Sequence, residues 1–206
     1  MALVGSGSAV PITSVSNQQL SERVDTNDEW IRTRTGIGAR RICNADEPLT
    51  VLATRAAETA LAHAGWQAED LDLILMATSS PDDLFGTAPR VQGALGARHA
   101  VAFDLTAACS GFLFALITAG QYLRSGAMRR ALVIGADQLD WLLLHQATQR
   151  ILDAVADRYK IPHDQVLSNL SNYGNTSAAT IPLMLDEAVR DGRVRSGHLI
   201  ASSGFG

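Results

Sequence analysis

Short apolar runs alternate with longer runs of helical character along the chain, and small or polar residues separate them. Ala100–Leu105 is a strand-like run, and the helix-like run Phe112–Leu123 follows it after a short corner. This alternation predicts an α/β fold. Cys109 lies in the corner, where unpaired N–H groups and the positive end of the helix dipole favour a thiolate. A buried, inert cysteine is the alternative interpretation.

Two more reactive side chains occupy corners of the same kind. His145 ends the apolar run Leu142–Leu144 and opens the next predicted helix. Asn175 lies between a predicted strand, Val166–Leu170, and a predicted helix, Ala178–Val189. Strand-to-helix corners are where α/β folds present chemical groups. Three such corners, with Cys, His and Asn, favour a nucleophilic role for the cysteine.

The sequence also relates two of these corners to each other. Leu71–Thr78 resembles Leu139–Gln146 at an offset of 68, and Cys109 and Asn175 are equivalent at an offset of 66. We interpret this as an internal duplication of one α/β unit, whose equivalent corners converge on one site. The last predicted strands of the two copies are Ala131–Gly135 and His198–Ser202.

Six motifs, taken in order, resemble β-ketoacyl-acyl carrier protein synthase III. They are Asp25–Ile31, Thr33–Ile37, Ala107–Phe112, His145–Ala147, Gly174–Ala179 and Gly204–Gly206. The resemblance implies a thiolase-like α/β fold, in which duplicated halves form layered helices and mixed sheets. It divides the chain into residues 1–138, a half with the nucleophile, and residues 139–206, the remaining part of a half with His and Asn.

The resemblance also implies a reaction, the opening condensation of fatty acid synthesis. Cys109 would take the acyl group of an acyl-CoA primer, with acetyl-CoA as the first candidate, as a thioester. Malonyl-acyl carrier protein would then lose carbon dioxide, and His145 and Asn175 would donate hydrogen bonds to the enolate oxygen. No metal or redox cofactor is expected, and acyl-CoA is a substrate.

The same resemblance implies which residues bind the nucleotide end of CoA. Trp30 and Arg34 match the pair that stacks on the adenine and contacts phosphate, and Thr26 lies beside them. Without the resemblance, an anchor on a helix face would be an equally good interpretation of Trp30.

Three further residues match positions of the acyl tunnel. Ala147 and Arg150 follow the histidine, with Arg150 near the mouth of the pantetheine tunnel. Phe85 matches an aromatic residue that closes the acyl pocket across a dimer. A homodimer is therefore expected, with Ala100–Leu105 near its two-fold axis.

Composition excludes some classes of protein. The net charge of −4 and the 47% content of hydrophobic residues indicate a soluble globular chain rather than a basic nucleic-acid binder. The first residues do not form a signal peptide, and no apolar stretch reaches membrane-spanning length, so a cytoplasmic location without membrane attachment is expected. A disulfide between Cys43 and Cys109 is not expected, because the latter is better explained as a reduced nucleophile.

The spacing of the motifs departs from the family. Cys109 and His145 are 36 residues apart, roughly one hundred fewer than in the family, about one domain's worth of chain. The 30 residues from His145 to Asn175 match the pattern, so the shortfall is expected near Gln138 and Leu139. The sequence stops at Gly206, one residue before the glycine whose N–H would join that of Cys109 in an oxyanion hole.

Two explanations of the shortfall remain open. Either the sequence is the ordered part of a longer enzyme, with the numbering closed over an omitted segment, or the gene product has a true internal deletion. We prefer the first, because removing interior strands would expose apolar surface and unpaired strand edges. A Cα–Cα distance near ~3.8 Å per bond across residues 138–140 would contradict it.

Two alternatives to the fatty acid reaction also remain open. A starter-unit synthase for polyketides has the same Cys, His and Asn residues and a different primer. A truncated, inactive homologue would act as the partner subunit of a full-length chain. The identity of the primer is not predicted from the sequence.

Overall fold

The computed structural model describes residues 2–137, 148–198, 200 and 202. The chain forms two compact units, each of them discontinuous in sequence. The sheet unit comprises Met1–Val10, Ala45–Leu139 and Ser177–Gly206, and the hairpin unit comprises Pro11–Asn44 and Asp140–Thr176.

Strands and helices alternate along much of the described chain. The strands are β1 (Thr13–Ser16), β2 (Ala39–Ile42), β3 (Leu73–Ala77), β4 (Val101–Leu105) and β5 (Ala131–Gly135). The helices are α1 (Asn17–Ser21), α2 (Asp28–Thr35), α3 (Leu49–Ala64), α4 (Ala88–Leu95), α5 (Gly111–Arg124), α6 (Gln149–Tyr159), α7 (Leu170–Tyr173) and α8 (Thr180–Arg190). Short 3₁₀ turns lie at Ala68–Asp70, Ala108–Ser110, His163–Gln165 and Ser177–Ala179.

A three-stranded parallel sheet forms the centre of the sheet unit, in the order β4-β3-β5. The register pairs Ala77 at the end of β3 with Leu105 of β4 and Gly135 of β5. The carboxyl ends of all three strands therefore meet at one edge of the sheet. Side chains that follow these ends are brought together there, as is usual in α/β folds.

Helices cover both faces of this sheet, which explains why β3 is completely buried. Ile74 and Met76 pack in a core with residues of α3 and α4. Leu73 and Leu75 point to the opposite face, where they pack with α5 and the turn before α8. The sequence of β3 is therefore a continuous apolar run and does not alternate between apolar and polar residues.

The hairpin unit combines the antiparallel pair β1-β2 with short helices. Its small core contains Ile31 of α2, Ile37 and Leu170. Gly36 ends α2 in a left-handed conformation with φ 81°, which a glycine adopts without strain. A Cβ at this position would lie 2.9 Å from the Cβ of Gln149, so the glycine also permits close approach of α6.

Most of the predicted elements are confirmed. The strand-like run Ala100–Leu105 is β4, and Ala131–Gly135 is β5. The helix predicted at Phe112–Leu123 is α5, and that predicted at Ala178–Val189 corresponds to α8 and the turn before it. The corner that contains Cys109 therefore has the local structure that the pattern indicates.

The strand predicted at Val166–Leu170 is wrong. Residues 167–169 are irregular, and Leu170 begins the helix α7. A strand needs a neighbour with which to pair, and in the described residues this segment instead packs Leu170 against Ile31 and Ile37. The second copy of the proposed repeat thus lacks a described counterpart of β4.

Other predictions are met only in part or lie outside the described residues. At the predicted strand His198–Ser202, the described positions 198, 200 and 202 are irregular. Three predictions fall outside the described residues: the run Leu142–Leu144, His145, and the junction at residues 138–140. The Cα–Cα distance across that junction therefore does not test the two explanations of the shortfall.

Candidate active site

Cys109 lies in the 3₁₀ turn that connects β4 to α5, as the sequence predicts. The turn precedes Gly111, the first residue of α5. A Cβ at Gly111 would lie 3.2 Å from the Cβ of Ala77, a contact tighter than nine in ten real Cβ contacts. The glycine therefore allows the start of α5, and with it the cysteine, to approach the end of β3.

A second 3₁₀ turn, Ser177–Ala179, packs against the turn of the cysteine. The Sγ atom of Cys109 lies 3.9 Å from the hydroxyl oxygen of Ser177, within hydrogen-bond range for sulfur. Ala108 and Ser177 both have left-handed backbones, with φ of 45° and 50°. Such conformations cost roughly 1 kcal/mol or more in residues other than glycine and concentrate at functional sites.

Asp137 connects this pair of turns to the ends of the sheet. Its Oδ1 atom accepts hydrogen bonds from the backbone N–H of Ser79 at 2.6 Å and from the Thr78 hydroxyl at 3.3 Å. Its Oδ2 atom accepts one from the backbone N–H of Ala178 at 2.9 Å, and the Ser177 hydroxyl also donates to the carboxylate. Burial raises the pKa of the Asp137 carboxyl, although these hydrogen bonds lower it in part. The carboxylate thus joins the ends of β3 and β5 to the start of α8.

The raised pKa of Asp137 predicts a pH-dependent stability. The folded chain holds this proton more tightly than the unfolded chain, so the stabilisation is complete below the ordinary pKa of aspartate and is lost as the pH rises through the raised pKa. Asp137→Asn loses an acceptor for a backbone N–H, which should lower its free energy of unfolding by about 1 to 3 kcal/mol in acid. This deficit should shrink as the pH rises, because the variant cannot ionise.

Urea-induced unfolding of both proteins between about pH 4 and pH 7 measures this difference. The control is Asp46→Asn, which makes the same chemical change at an exposed turn. A deficit of Asp137→Asn that is constant across the range, or that grows with pH, would contradict the prediction.

The nucleotide-binding residues predicted on α2 lie close together. The guanidinium of Arg34 lies over the Trp30 ring, 4.8 Å from its centroid, a cation–π geometry. Trp30 is 50% exposed, so an outer part of its ring is open to a planar ligand. Thr26 precedes the helix N-cap Asn27, and its buried hydroxyl has no hydrogen-bond partner in the described part of the chain.

Arg34 also lines a cleft of about 670 Å³ within the hairpin unit. The other lining residues belong to the start and length of α6: Thr148, Arg150, Ile151, Ala154, Val155, Arg158 and Tyr159. Three arginines thus face one cleft, and none of its described lining residues is acidic. Two acids of the same helix, Asp153 and Asp157, instead contact His163. The cleft is suited to a polyanion with apolar parts.

The other predicted residues lie in separate surroundings. Phe85 is 90% exposed on the loop before α4. Asn175 is partly buried and follows Gly174, whose φ of 71° lets the chain turn sharply after α7. His145 and Ala147 lie outside the described residues.

Sequence reasoning missed Asp137 and Ser177 as members of this site. A sequence signal was present for Asp137, because an acidic residue just after the apolar run of β5 falls at the carboxyl edge of a parallel sheet, where ligands usually bind. No local signal links it to Ser177, which is 40 positions further along the chain.

Two kinds of feature are absent from the described residues. These residues contain no helix that is long and apolar enough to span a membrane. They also contain no group of three or more His, Cys, Asp or Glu side chains with the arrangement of a metal site.

Two family models match the chain. The model for 3-oxoacyl-[acyl-carrier-protein] synthase III matches residues 103–152, and the model for the C-terminal part of the same synthase matches residues 130–206. The first match includes the Cys109 corner, and the second includes Asp137, Asn175 and Ser177.

Individual relatives are similar over the whole chain. The β-ketoacyl-[acyl-carrier-protein] synthase III of Synechococcus sp. strain WH7803 is 50% identical, with 100% of this chain and 92% of the relative covered. That of Prochlorococcus marinus strain MIT 9313 is 48% identical, with the same coverage. The first alignment extends over 311 positions, whereas the chain has 206 residues. The shortfall inferred from the Cys109 to His145 spacing is therefore matched by a real difference in length from the relatives.

Solved structures give the same result for the fold. The 3-oxoacyl-[acyl-carrier-protein] synthase III of Aquifex aeolicus superposes with a TM-score of 0.88 at 31% identity, covering 94% of this chain and 92% of that one. The priming β-ketosynthase of the R1128 polyketide pathway superposes with a TM-score of 0.89 at 25% identity, covering 95% and 89%. The fold is thus that of the thiolase-like condensing enzymes. Within that class, the chain belongs to the β-ketoacyl-[acyl-carrier-protein] synthase III family of acyltransferases.

Proposed function

We propose that this chain condenses an acyl-CoA primer, with acetyl-CoA as the first candidate, with malonyl-acyl carrier protein to begin fatty acid synthesis. The position of Cys109 is the observation that supports this most. Its sulfur lies at the start of α5, on the edge where the carboxyl ends of three parallel strands meet. Cys109 is partly exposed, and a thiol in such a place can attack a thioester near the positive end of the helix dipole.

In the first half-reaction, the sulfur of Cys109 attacks the carbonyl carbon of the acyl-CoA thioester. A new carbon–sulfur bond forms to Cys109, and the bond to the CoA sulfur breaks. The proton of the cysteine thiol goes to the departing CoA, which leaves as a thiol. The covalent intermediate divides one difficult condensation into two acyl transfers.

In the second half-reaction, malonyl thioester loses carbon dioxide, and the resulting enolate carbon attacks the acyl group on Cys109. A carbon–carbon bond forms, the thioester bond to Cys109 breaks, and its sulfur takes up a proton. We propose that His145 and Asn175 donate hydrogen bonds to the enolate oxygen. Neither half-reaction passes electrons to an acceptor, so the proposal includes no redox cofactor and no metal.

The CoA nucleotide is proposed to bind at Trp30 and Arg34, with Thr26 and Ala147 as additional contacts. The exposed Trp30 ring and the stacked Arg34 guanidinium offer planar surfaces to an adenine. Arg34 shares its cleft with Arg150 and Arg158, which suits the phosphates of CoA. The apolar lining of the same cleft suits the pantetheine arm.

Arg34→Ala is expected to weaken CoA binding by roughly tenfold or more, because it removes a charge-assisted phosphate contact and a stacking surface. Arg34→Lys should recover part of the affinity, since it keeps the charge and loses the planar group. Titration calorimetry with CoA measures both. Arg55→Ala, at an exposed position of α3, is the control and should bind as the wild type does. Equal affinity of Arg34→Ala and wild type would contradict this binding site.

Phe85 is proposed to close the acyl pocket of a second copy in a homodimer. Its ring is 90% exposed in one copy and is therefore available for contact with a second copy. We also propose a cytoplasmic location, where the substrates of fatty acid synthesis are made.

The two thiolase-like halves are proposed to be residues 1–138 and 139–206. The family models support this division, because the C-terminal model begins at residue 130 and the other ends at residue 152. The change from one half to the other then falls where the spacing of the motifs predicts the shortfall.

Incubation with acetyl-CoA followed by mass spectrometry tests the proposed function. We expect the chain to gain one acetyl group, located on the peptide that contains Cys109, and Cys109→Ala to gain none. An adduct that persists in Cys109→Ala would refute the covalent mechanism. A folded wild-type protein with no adduct would instead support the truncated, inactive homologue.

The polyketide starter synthase is the second candidate, and the R1128 priming ketosynthase supports it through its fold. Its 25% identity is half that of the Synechococcus relative, which favours the fatty acid enzyme. A panel of acyl-CoA primers of increasing length and branching separates the two, because they differ in the primer that acylates Cys109.

A further inference from the structure

We infer that Ser177 is a positioning residue for the proposed nucleophile: its hydroxyl oxygen accepts a hydrogen bond from the Cys109 thiol, and its hydroxyl group donates one to the Asp137 carboxylate. The inference rests on the proposed role of Cys109 as the nucleophile. It adds to that role a residue outside the Cys, His and Asn set. The link runs from the end of β5 through the turn before α8 to the turn before α5.

The hydrogen-bond directions follow from the groups that surround Asp137. Two backbone N–H groups, of Ser79 and Ala178, point at its carboxylate and are donors only. The Ser177 hydroxyl donates a hydrogen bond to the same carboxylate. Its oxygen then offers lone pairs to Cys109, whose Sγ atom lies 3.9 Å away. The thiol is thereby the form of the cysteine that this contact stabilises.

The backbone of Ser177 supports a specific role for its position. Its φ of 50° is unfavourable for a serine, whereas a glycine would adopt it without strain. The tight packing around it limits movement, since a Cβ at Gly135 would overlap the carbonyl oxygen of Ala178. The strained turn thus holds the hydroxyl between the sulfur and the carboxylate.

Other charged groups near this site are engaged elsewhere in the described structure. On β4, Asp104 accepts hydrogen bonds from the backbone N–H groups of Thr87 and Ala88. On α8, Asp186 contacts Ser8 and Arg190. The remaining charged residues of the surrounding strands and helices are Arg124 on α5 and Glu187 on α8. Asp137 is therefore the charged group that the described structure links to Ser177.

The experiment compares Ser177→Gly, Ser177→Ala and wild type by the pH dependence of iodoacetamide alkylation at Cys109. Peptide mapping follows Cys43 in the same samples as an internal control. Both variants should reach half-maximal alkylation about half a pH unit lower than wild type, or react about threefold faster below the midpoint, because the thiol loses its acceptor. Acetylation by acetyl-CoA should slow by roughly tenfold, because the sulfur is no longer held in place.

Opposite changes in the two rates distinguish positioning from a structural role. A purely structural role predicts that Ser177→Gly, which relieves the backbone strain, acylates and alkylates as the wild type does, and that outcome overturns the inference. An equal rise of alkylation at Cys43 would indicate general loosening and also overturns it. Thr118→Ala, an exposed hydroxyl deletion on α5, should match wild type in both assays.

The alkylation assay needs no acyl-CoA, so failure of the proposed function can be distinguished from failure of the positioning role of Ser177. A wild-type protein that is not acetylated contradicts the proposed function, whereas the alkylation midpoint still decides the link between Ser177 and Cys109. If one variant does not fold, the other provides the same test. An unchanged midpoint in a folded variant overturns the inference.

Discussion

Asn175→Ala should lower the rate of condensation by about 100-fold or more while Cys109 still becomes acetylated at the wild-type rate. The physical reason is that an amide donor to a developing oxyanion contributes in the transition state of the second half-reaction and not in the first. Gly174, with its φ of 71°, and α7 before it place Asn175 in a partly buried turn. Single-turnover acetylation and steady-state condensation, measured on the same preparation, separate the two half-reactions.

The matched control for this variant is Asn172→Ala, which removes the same side chain three residues earlier, at an exposed position of α7. It should retain both activities. Condensation by Asn175→Ala within a few-fold of wild type would contradict the proposed donor role. Loss of acetylation together with condensation would indicate damage to the Cys109 corner rather than loss of an oxyanion donor.

The second large effect is expected from Gly135→Ala, which should lower the free energy of unfolding by about 2 to 3 kcal/mol. The added Cβ would overlap the carbonyl oxygen of Ala178 and lie 3.0 Å from the Cγ of Pro182. The backbone of Ala178 cannot move away from this Cβ without shifting the start of α8. Because Ser177 belongs to that segment, acetylation of Cys109 should fall as well.

Gly93→Ala provides the control for this prediction. It makes the same change within α4 at an exposed site with no atom within 4 Å of the new Cβ. Alanine is the better helix former, so this variant should gain up to about 1 kcal/mol. Urea-induced unfolding measures both variants, and a Gly135→Ala protein as stable as wild type would contradict the tight packing between β5 and α8.

Local structure was predictable where the apolar pattern was strong. The runs of β4, β5 and α5 have uniform apolar character, and each was found where the pattern indicates. The position of Cys109 between them follows directly. The pattern of Val166–Leu170 also predicts a strand, but a strand requires a neighbour with which to pair. In the described residues, Leu170 instead begins the helix α7.

The sequence by itself determined the type of each strongly patterned element, the corner that contains Cys109, and membership of the family, because these depend on nearby residues and on ordered motifs. Only the tertiary structure decided the strand order β4-β3-β5, the stacking of Arg34 on Trp30, the cleft that Arg34 shares with α6, and the link from Asp137 through Ser177 to Cys109. These features join residues that are distant in sequence, and their geometry comes from strand pairing and close packing, which no local propensity specifies. For that reason Cys109 could be proposed as the nucleophile from the sequence alone, whereas the residue proposed to position it could not.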